Sequence, residues 1–299
     1  MPLEDFIISV FCFVDDFLKN NGFDNRVLRK RGIAPKLSDA EVLMMMIVGE
    51  LMGYDTDKGI WHYFRRHWLF LFPGIGSRSN WVRQSSNLWS ITQKLHQVLA
   101  SELGAMVDDI HIIDGFPMPI CAKTRANRSR LFKGVASWGY CAAKDEHYYG
   151  LHGHLLIDFN GVVTGIEVTP ANASEREVVW ELAIGKISGT LIGDKGYIGQ
   201  DYQNELKIQA GIELQTALRS NMQDNRDPKL INALKAKRRL IETVIGQFVE
   251  TFNVEKVRAR DLWHLTCRIS RKILAHTIGV FFNRKLGRED LALADLIQA

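Results

Sequence analysis

The sequence predicts an α/β fold in which a mixed sheet is flanked by helices and preceded by a helical N-terminal region. Beyond Val107, short apolar strands alternate with helices, an order that is typical of a mixed sheet covered by helices. The first hundred or so residues carry helix start signals and helical apolar runs instead. We therefore expect a helical domain over residues 1–105 and an α/β domain over residues 106–299.

Composition narrows the class of protein. The chain has 299 residues, of which 46% are hydrophobic and 24% charged, enough for one large core or for a core plus a smaller helical domain. No apolar run is long enough to cross a bilayer, and Glu4 and Asp5 stand where a signal peptide needs basic residues. The four cysteines are scattered without a CxxC pair, which argues against a disulfide framework and a thiolate zinc site. We expect a cytoplasmic protein with no membrane partner.

Two helix starts are marked in the N-terminal region. Ser38 and Glu41 form a capping box in front of an apolar run. The second start, Ser77 to Gln84, is polar and basic and contains Trp81, a residue type that is usually buried. It suits the second helix of a helix-turn-helix, which would place the basic residues Arg78 and Arg83 against DNA. An ordinary solvated surface helix fits the same pattern.

The α/β region divides into strands and helices by its periodicity. Strands are predicted over residues 110–114, 148–158, 162–168, 190–192 and 212–218, and helices over residues 174–184 and 200–210. Asn160-Gly161 is a strong hairpin signal between the second and third strands. Asp227 and Pro228 open a long helix. One apolar face of that helix is expected to pack on the sheet; it consists of Ile241, Val244, Ile245, Phe248 and Phe252.

Positive charge is concentrated in two segments, although the net charge of the whole chain is only +4. Residues 235–285 contain twelve basic and four acidic residues, a local charge of +8. Residues 121–144 contain six basic residues and no acidic one: Lys123, Arg125, Arg128, Arg130, Lys133 and Lys144. Because a polyanion responds to local clusters rather than to the average charge, both segments are candidates for phosphate contact.

The cations of the second segment lie among apolar residues at helical spacing. Phosphate contact is the reading that the local charge favours, and a solvated helix face is the alternative. The residues concerned are Arg258, Arg260, Trp263, His264, Arg268, Arg271 and Lys272.

Three carboxylates form a candidate site. Asp114 and Asp194 each end a short apolar strand, and Glu242 lies one position from the apolar stripe of the long helix, with Arg238 four residues earlier on the same face. Carboxylates that meet at a sheet rim attract Mg²⁺, and Mn²⁺ suits the same ligands. Two such ions can promote an in-line displacement at phosphorus. Taken singly, each residue could equally be a turn former or half of a surface ion pair.

Together these residues resemble the ribonuclease-H-like DDE transposases that bacterial insertion sequences encode, of the compact kind with a short helical domain before the catalytic core. The resemblance covers about residues 107–252. The matching segments are Ile112-Ile113-Asp114, Tyr149 to Asp158, Thr169-Pro170-Ala171-Asn172, Gly193-Asp194-Lys195-Gly196-Tyr197 and Arg238-x-x-x-Glu242.

The resemblance implies a catalytic domain over residues 106–299 and a DNA-binding domain over residues 1–105. It implies that Asp114, Asp194 and Glu242 bind two Mg²⁺ ions, and that Lys195, Tyr197 and Arg238 contact DNA near the scissile phosphate. The expected reaction is hydrolysis at the element ends followed by transfer of the 3′-OH to target DNA, carried out by a homodimer on DNA. Further DNA contacts are expected from Lys123, Arg125, Arg128, Arg130, Lys144, Arg78, Arg83, Arg258 and Arg260.

The chain departs from the family pattern at two positions. Many relatives carry a tyrosine three residues before the arginine and a lysine seven residues after the glutamate, where this chain has Lys235 and Val249. The route by which flanking DNA is released, including any hairpin step, is therefore not carried over. The segment between Asp194 and Glu242 is too short for the β insertion of some relatives, which predicts a compact domain.

Other constellations have two explanations each. His152 and His154 share a strand face and could bind zinc, or could be core histidines. Trp138 and Tyr140 lie in the first basic segment, where they could stack on unpaired bases, although Trp138 could equally belong to the core.

No phosphate-binding glycine loop, cysteine dyad or serine elbow occurs, which argues against nucleotide hydrolysis and acyl transfer. A nuclease without strand transfer and an inactive DNA-binding descendant are the rival functions.

Overall fold

The computed structural model describes residues 1–23, 34–217 and 226–298. The chain forms two compact units: Met1–Leu99 with Glu250–Ala299, and Ala100–Val249. We call them the helical unit and the α/β unit. None of the described helices is both long enough and apolar enough to cross a membrane.

The helical unit is built around a buried helix. It contains α1 (Leu3–Asn20), α2 (Asp39–Leu51), α3 (Asp57–His67), α4 (Arg78–Asn87), most of α5 (Trp89–Glu102) and α9 (Leu262–Lys285). Helix α2 contacts α1, α3, α4 and α9, and its residues from Val42 to Glu50 are all buried. The predicted capping box is confirmed at its start, where the Ser38 hydroxyl accepts from the Glu41 N–H at 3.1 Å and the Glu41 carboxylate accepts from the Ser38 N–H at 2.6 Å.

A buried ion network joins α9 to α2 and α3. Glu50 accepts from Arg271 Nε at 2.6 Å and from Lys272 Nζ at 2.9 Å. Asp57 accepts from Arg271 Nη1 and from Arg268 Nη2, both at 2.6 Å. The Glu50, Arg271 and Lys272 side chains are at most 3% exposed. The sequence predicted that Arg268, Arg271 and Lys272 contact phosphate. That prediction is wrong for Arg271 and Lys272, which are buried, and Arg268 forms an ion pair with Asp57.

This ion network also explains why the residues after 250 belong to the helical unit. The sequence assigned residues 106–299 to one α/β domain, whereas the structure groups the residues from 250 onward with the N-terminal helices. Helix α9 supplies both a buried apolar surface and the cations that neutralise the two acidic residues of α2 and α3. The functional assignment of the two units remains a prediction.

The described residues of the α/β unit form a six-stranded mixed sheet. The strands are β1 (Ile110–Pro119), β2 (Ser137–Cys141), β3 (Glu146–Asp158), β4 (Val163–Pro170), β5 (Gly189–Gly193) and β6 (Ile212–Thr216). Strand order is β2-β3-β1-β5-β6, with β4 also paired to β3. Strands β2, β1 and β4 pair with β3 in antiparallel fashion, whereas β1, β5 and β6 are parallel. The predicted ribonuclease-H-like α/β architecture is confirmed.

Three helices accompany the sheet: α6 (Glu175–Ala183), α7 (Gln200–Ala210) and α8 (Pro228–Glu250). Helices α6 and α7 bury apolar residues against one sheet face, in a core that includes Val179, Leu206, Leu156 and Leu191. Along α8, the Ile241, Val244 and Phe248 side chains of the predicted apolar stripe are buried.

Most predicted elements lie within a few residues of their observed bounds. The hairpin signal is confirmed, because Asn160-Gly161 connects antiparallel β3 and β4. Strand β1 runs to Pro119, beyond its predicted end at Asp114, because its pairing with β3 continues to Pro119↔Gly150. Strand β2 was not predicted. The last residue of the predicted strand 212–218, Leu218, lies outside the described residues.

We expect Glu50→Gln to lower the free energy of unfolding by about 3–5 kcal/mol, because it removes the carboxylate that pairs with buried Lys272 and leaves buried Arg271 paired with Asp57 alone. Urea unfolding followed by circular dichroism measures this change. The control is Asp15→Asn, which breaks the exposed Lys19–Asp15 pair of 2.6 Å and should cost less than about 1 kcal/mol. Equal effects of the two substitutions would contradict a stabilising role for the buried network.

Candidate active site

Two aspartates lie at corresponding positions on neighbouring strands. Parallel β1 and β5 pair in register through Ile112↔Ile192, and Asp114 and Asp194 each lie two residues further along. The parallel pairing ends at Ile112↔Ile192, although β1 continues to Pro119 against β3, so both aspartates lie just beyond the last paired residues of the two strands. The pairing therefore brings together two carboxylates that are 80 positions apart in the sequence.

Local backbone contacts orient both aspartates. The Asp114 Oδ1 atom accepts from the Gly115 N–H at 2.8 Å. The Asp194 Oδ1 atom accepts from the Lys195 N–H and caps the 3₁₀ turn Lys195–Tyr197. Each carboxylate retains a second oxygen for other partners.

Helix α8 contributes Arg238 and Glu242. Arg238 Nη2 lies 3.4 Å from Asp194 Oδ2 and 3.9 Å from Glu242 Oε1. The neighbouring Ile241 is fully buried, which leaves Glu242 at the edge of the apolar stripe with 60% of its side chain exposed. The guanidinium thus links Asp194 of the sheet to Glu242 of the helix.

The electrostatics of this edge are unfavourable for anions. The pKa of Asp114 is raised to about 6, mainly by burial and in addition by the Asp194 and Glu242 carboxylates. The Gly115 N–H and the Arg238 guanidinium act in the opposite direction. The pKa of Asp114 is therefore raised overall. A positive charge placed at this edge would stabilise the ionised carboxylates.

A fourth carboxylate, Glu175, was not predicted from the sequence, because an acidic residue is common in the first turn of a helix such as α6. Burial raises its pKa, and Asp194 and Asp114 raise it further. Its Oε2 atom lies where a side chain at Gly196 would have to stand. Glycine at this position of Asp-Lys-Gly-Tyr therefore allows the close approach. The only signal in the sequence was an acidic residue shortly after Thr-Pro-Ala-Asn.

The two residues after Asp194 that were expected to contact DNA differ in their surroundings. Lys195 is exposed. Tyr197 is 1% exposed, belongs to the sheet core, and packs close to Gly193. The expectation of a direct DNA contact is therefore wrong for Tyr197, whose apolar ring supports the turn that carries Asp194.

The histidines of β3 are core residues with hydroxyl partners. His152 Nδ1 lies 2.7 Å from the Tyr148 hydroxyl, and His154 Nε2 lies 3.0 Å from the Thr169 hydroxyl. Burial lowers the pKa of His152 to about 4 and that of His154 to about 3. Both rings are therefore neutral near pH 7, as the core interpretation expects.

The remaining predicted DNA contacts lie on the surfaces of both units. In the helical unit, Arg78 and Arg83 of α4 line a cleft of about 440 Å³ together with Trp263 and His264, and Trp81 is buried as expected. Lys123 of the α/β unit also pairs with Glu146 at 2.7 Å. The other exposed cations are Arg125, Arg128, Arg130 and Lys144 in the α/β unit and Arg258 and Arg260 in the helical unit.

The carboxylates do not form a preassembled metal cage. Within residues 1–23, 34–217 and 226–298, no three His, Cys, Asp or Glu side chains lie close enough together to hold one metal ion as they stand. The Arg238 guanidinium contacts two of the carboxylates instead.

Comparison with known proteins identifies the class to which this site belongs. A family model described as "Transposase DDE domain" matches residues 104–262, which is more than half of the chain. The protein therefore belongs to the transposase DDE domain family, and its function is of the transposase type. No curated protein and no solved structure matches the chain.

The raised pKa of Asp114 predicts a pH-dependent stability. A group whose pKa is raised by folding contributes stability that is fully present below its ordinary pKa and is lost as the pH rises through the folded value, here about 6. Metal-free Asp114→Asn should therefore be more stable than the parent protein near pH 8, by at most about 3 kcal/mol, and should show little difference near pH 4.

Urea unfolding in EDTA at the two pH values measures the difference. Asp201→Asn, at an exposed position of α7, is the control and should change stability by less than about 0.5 kcal/mol. An Asp114→Asn protein that matches the parent at both pH values would show that Asp114 carries no burial penalty.

Proposed function

We propose that this protein is a DNA transposase of a bacterial insertion sequence, which binds the terminal repeats, hydrolyses the phosphodiester at the ends and joins the freed 3′-OH to target DNA. The observation that carries the proposal is the alignment of Asp114 and Asp194, each two residues beyond the last pair of the parallel β1–β5 ladder. Arg238 connects this pair to Glu242 of α8. Membership of the transposase family supports the same class of reaction.

The residues of the site fit a divalent metal cofactor. Asp114, Asp194 and Glu242 offer hard oxygen ligands, which suit Mg²⁺ and also Mn²⁺. The crowding of anions that raises the Asp114 pKa is relieved by bound cations. We propose that these three residues hold two Mg²⁺ ions, which when bound activate the attacking oxygen and stabilise the leaving oxygen.

Side-chain movement is part of this proposal. Glu242 is the most exposed of the three carboxylates, at 60%, compared with 39% for Asp194. Its side chain can rotate about the helix surface, whereas Asp114 and Asp194 are held by backbone N–H groups. Release of Arg238 from Asp194 would leave a planar guanidinium beside the site, and such a group binds phosphate through paired hydrogen bonds.

The chain's own cations would hold the DNA in place. Exposed Lys195 follows Asp194 directly, so its ammonium can reach a phosphate next to the scissile one. In the first step, a water oxygen bonds to phosphorus and the 3′ oxygen leaves as a hydroxyl. In the second step, this hydroxyl bonds to a target phosphorus and displaces one of its ester oxygens. Because the reaction takes place at both ends of the element, we propose that the protein acts as a homodimer on DNA.

Replacement of a single carboxylate should separate chemistry from binding. We expect Asp114→Asn, Asp194→Asn or Glu242→Gln to reduce cleavage of a labelled element-end duplex in Mg²⁺ by at least about 100-fold, more than is typical for a residue that only supports a metal ligand. Affinity for the duplex should stay within a few-fold, because exposed cations carry it. Gel analysis of cleaved and joined products measures both reactions.

Glu250→Gln is the matched control, since Glu250 is also an exposed glutamate of α8, and it should cleave normally. Normal cleavage by a carboxylate variant would remove that residue from the site. Cleavage by the parent protein without joined products would replace strand transfer with simple nuclease activity. Binding with neither reaction would identify an inactive DNA-binding descendant.

The first basic segment should contribute to DNA affinity in proportion to its phosphate contacts. For the double substitution Arg125→Gln/Arg128→Gln, the slope of log affinity against log salt should become shallower by about 2, because each lost phosphate contact removes about 0.9. Fluorescence anisotropy at several salt concentrations measures the slope. Lys207→Gln, at an exposed position of α7, should leave it unchanged. An unchanged slope in the double variant would place this segment outside the DNA interface.

A further inference from the structure

The cleft that contains Arg78 and Arg83 lies within the helical unit, between α4 and the start of α9. We call it the arginine cleft and define it by the lining residues Arg78, Ser79, Arg83, Asn87, Trp263 and His264. Its volume is about 440 Å³. The two walls come from segments that are far apart in the sequence, so the cleft exists only in the folded protein.

Helix α4 forms the first wall. It directs one side inward, where Trp81 and Gln84 are buried and Gln84 Nε2 donates to Asp39 Oδ1 at 2.9 Å. Arg78 and Arg83 are exposed and line the cleft. They are five positions apart, which corresponds to about 7.5 Å along the helix axis. Their guanidinium groups can therefore hold two separate anionic groups.

The start of α9 forms the second wall, and contacts within the helical unit hold it in place. The Trp263 ring packs edge-to-face on Trp89, with centroids 5.6 Å apart. The Cys267 thiol donates to the Ser86 carbonyl at 3.2 Å, which ties α9 to α4. Trp263 is nevertheless 48% exposed. The second wall therefore presents part of an indole ring in a fixed position.

The polar side chains of the cleft indicate an anionic occupant. Among the described residues that line it, two are arginines and none is acidic. The neighbouring Asp261 carboxylate accepts from the His264 N–H at 2.9 Å and lies 2.8 Å from the His264 ring Nδ1 atom, so it is already paired. Guanidinium groups bind phosphate through paired hydrogen bonds, and the Ser79 hydroxyl and the Asn87 amide add further donors.

The shape of the cleft distinguishes between two ways of binding DNA. A helix with its side chains is about 10–12 Å across, and the major groove is only about 12 Å wide. A helix that reads bases must therefore protrude from its neighbours. Trp263 and His264 instead stand beside the exposed side of α4, where they would meet the edge of the groove. A concave cleft fits a ridge of the duplex, and the ridges of DNA are its sugar–phosphate strands.

We propose that the arginine cleft binds one sugar–phosphate strand of duplex DNA, independently of base sequence. Arg78 and Arg83 bind separate phosphates of that strand, and the Trp263 ring packs against a deoxyribose between them. This assignment differs from the base-reading role that a helix-turn-helix would give to α4. It also adds Trp263 and His264, which follow the α/β unit in the sequence, to the same DNA contact. The inference rests on the proposed function, from which the DNA substrate is taken.

The test measures affinity for two duplexes by fluorescence anisotropy in EDTA, so that no cleavage occurs. One duplex carries the element end, and the other has the same base composition in scrambled order. We expect Arg78→Gln/Arg83→Gln to weaken binding of both duplexes by the same factor, at least about 10-fold. The slope of log affinity against log salt should become shallower by about 2 on both duplexes, because two phosphate contacts are lost.

The matched control is Arg66→Gln/Lys94→Gln, which removes two exposed cations of the helical unit that do not line the cleft. It should bind like the parent protein. Trp263→Ala should weaken binding of both duplexes by about 3-fold or more without a change in salt slope, because it removes apolar contact but no charge. Trp263→Phe should retain most of the affinity. Far-UV circular dichroism verifies that each variant is folded.

Two results would overturn the proposal. If the folded Arg78→Gln/Arg83→Gln protein lost affinity only for the element-end duplex, α4 would be a base-reading helix. If its affinity and salt slope matched those of the parent protein on both duplexes, the arginine cleft would lie outside the DNA interface.

These results are distinguishable from a failure of the proposed reaction. A protein that cleaves element ends in Mg²⁺, but whose affinity does not depend on Arg78 and Arg83, would retain the transposase function and lose the cleft assignment. Binding that depends on the arginine cleft, without cleavage in Mg²⁺, would support the cleft assignment and contradict the proposed reaction.

Discussion

The parallel pairing of β1 with β5 is the interaction on which the candidate site depends. It aligns Ile112 with Ile192 and thereby brings Asp114 and Asp194 to corresponding positions just beyond the parallel pairing. Neither strand could form this edge alone, because each contributes a single carboxylate. Helices α6 and α7 pack their apolar faces against one face of the sheet and hold the strands in place. Repulsion from the Asp194 and Glu242 carboxylates contributes to the raised pKa of Asp114, and the Arg238 guanidinium partly lowers that pKa again.

Charged residues have opposite roles in the two units. In the helical unit, Glu50 and Arg271 are buried and their charges satisfy each other, which favours one arrangement of α2 and α9. In the α/β unit, Asp194 and Glu242 stay partly exposed and share a single arginine at distances of 3.4 and 3.9 Å. The buried Glu50–Arg271 pair is out of reach of a ligand. The second arrangement has more negative charge than its cation neutralises, as binding of a metal ion requires.

Local sequence signals predicted the elements well where the physical cause is itself local. The Ser38 capping box and the Asn160-Gly161 hairpin need only neighbouring residues. Prediction failed where distant contacts decide. Strand β2 forms because Ser137–Cys141 pairs with β3. Tyr197 is buried by core residues from several elements, and Lys272 is drawn into the interior by Glu50, 222 positions away in the sequence.

The sequence by itself determined the fold class and most of the strands and helices, and it supplied the three candidate carboxylates, because periodicity and residue chemistry are properties of short segments. Tertiary structure alone decided which of these groups meet. It placed Glu175 against Gly196 and connected Arg238 to Asp194. It also assigned the residues after 250 to the helical unit. These outcomes follow from pairing and packing between distant segments, which no local pattern specifies.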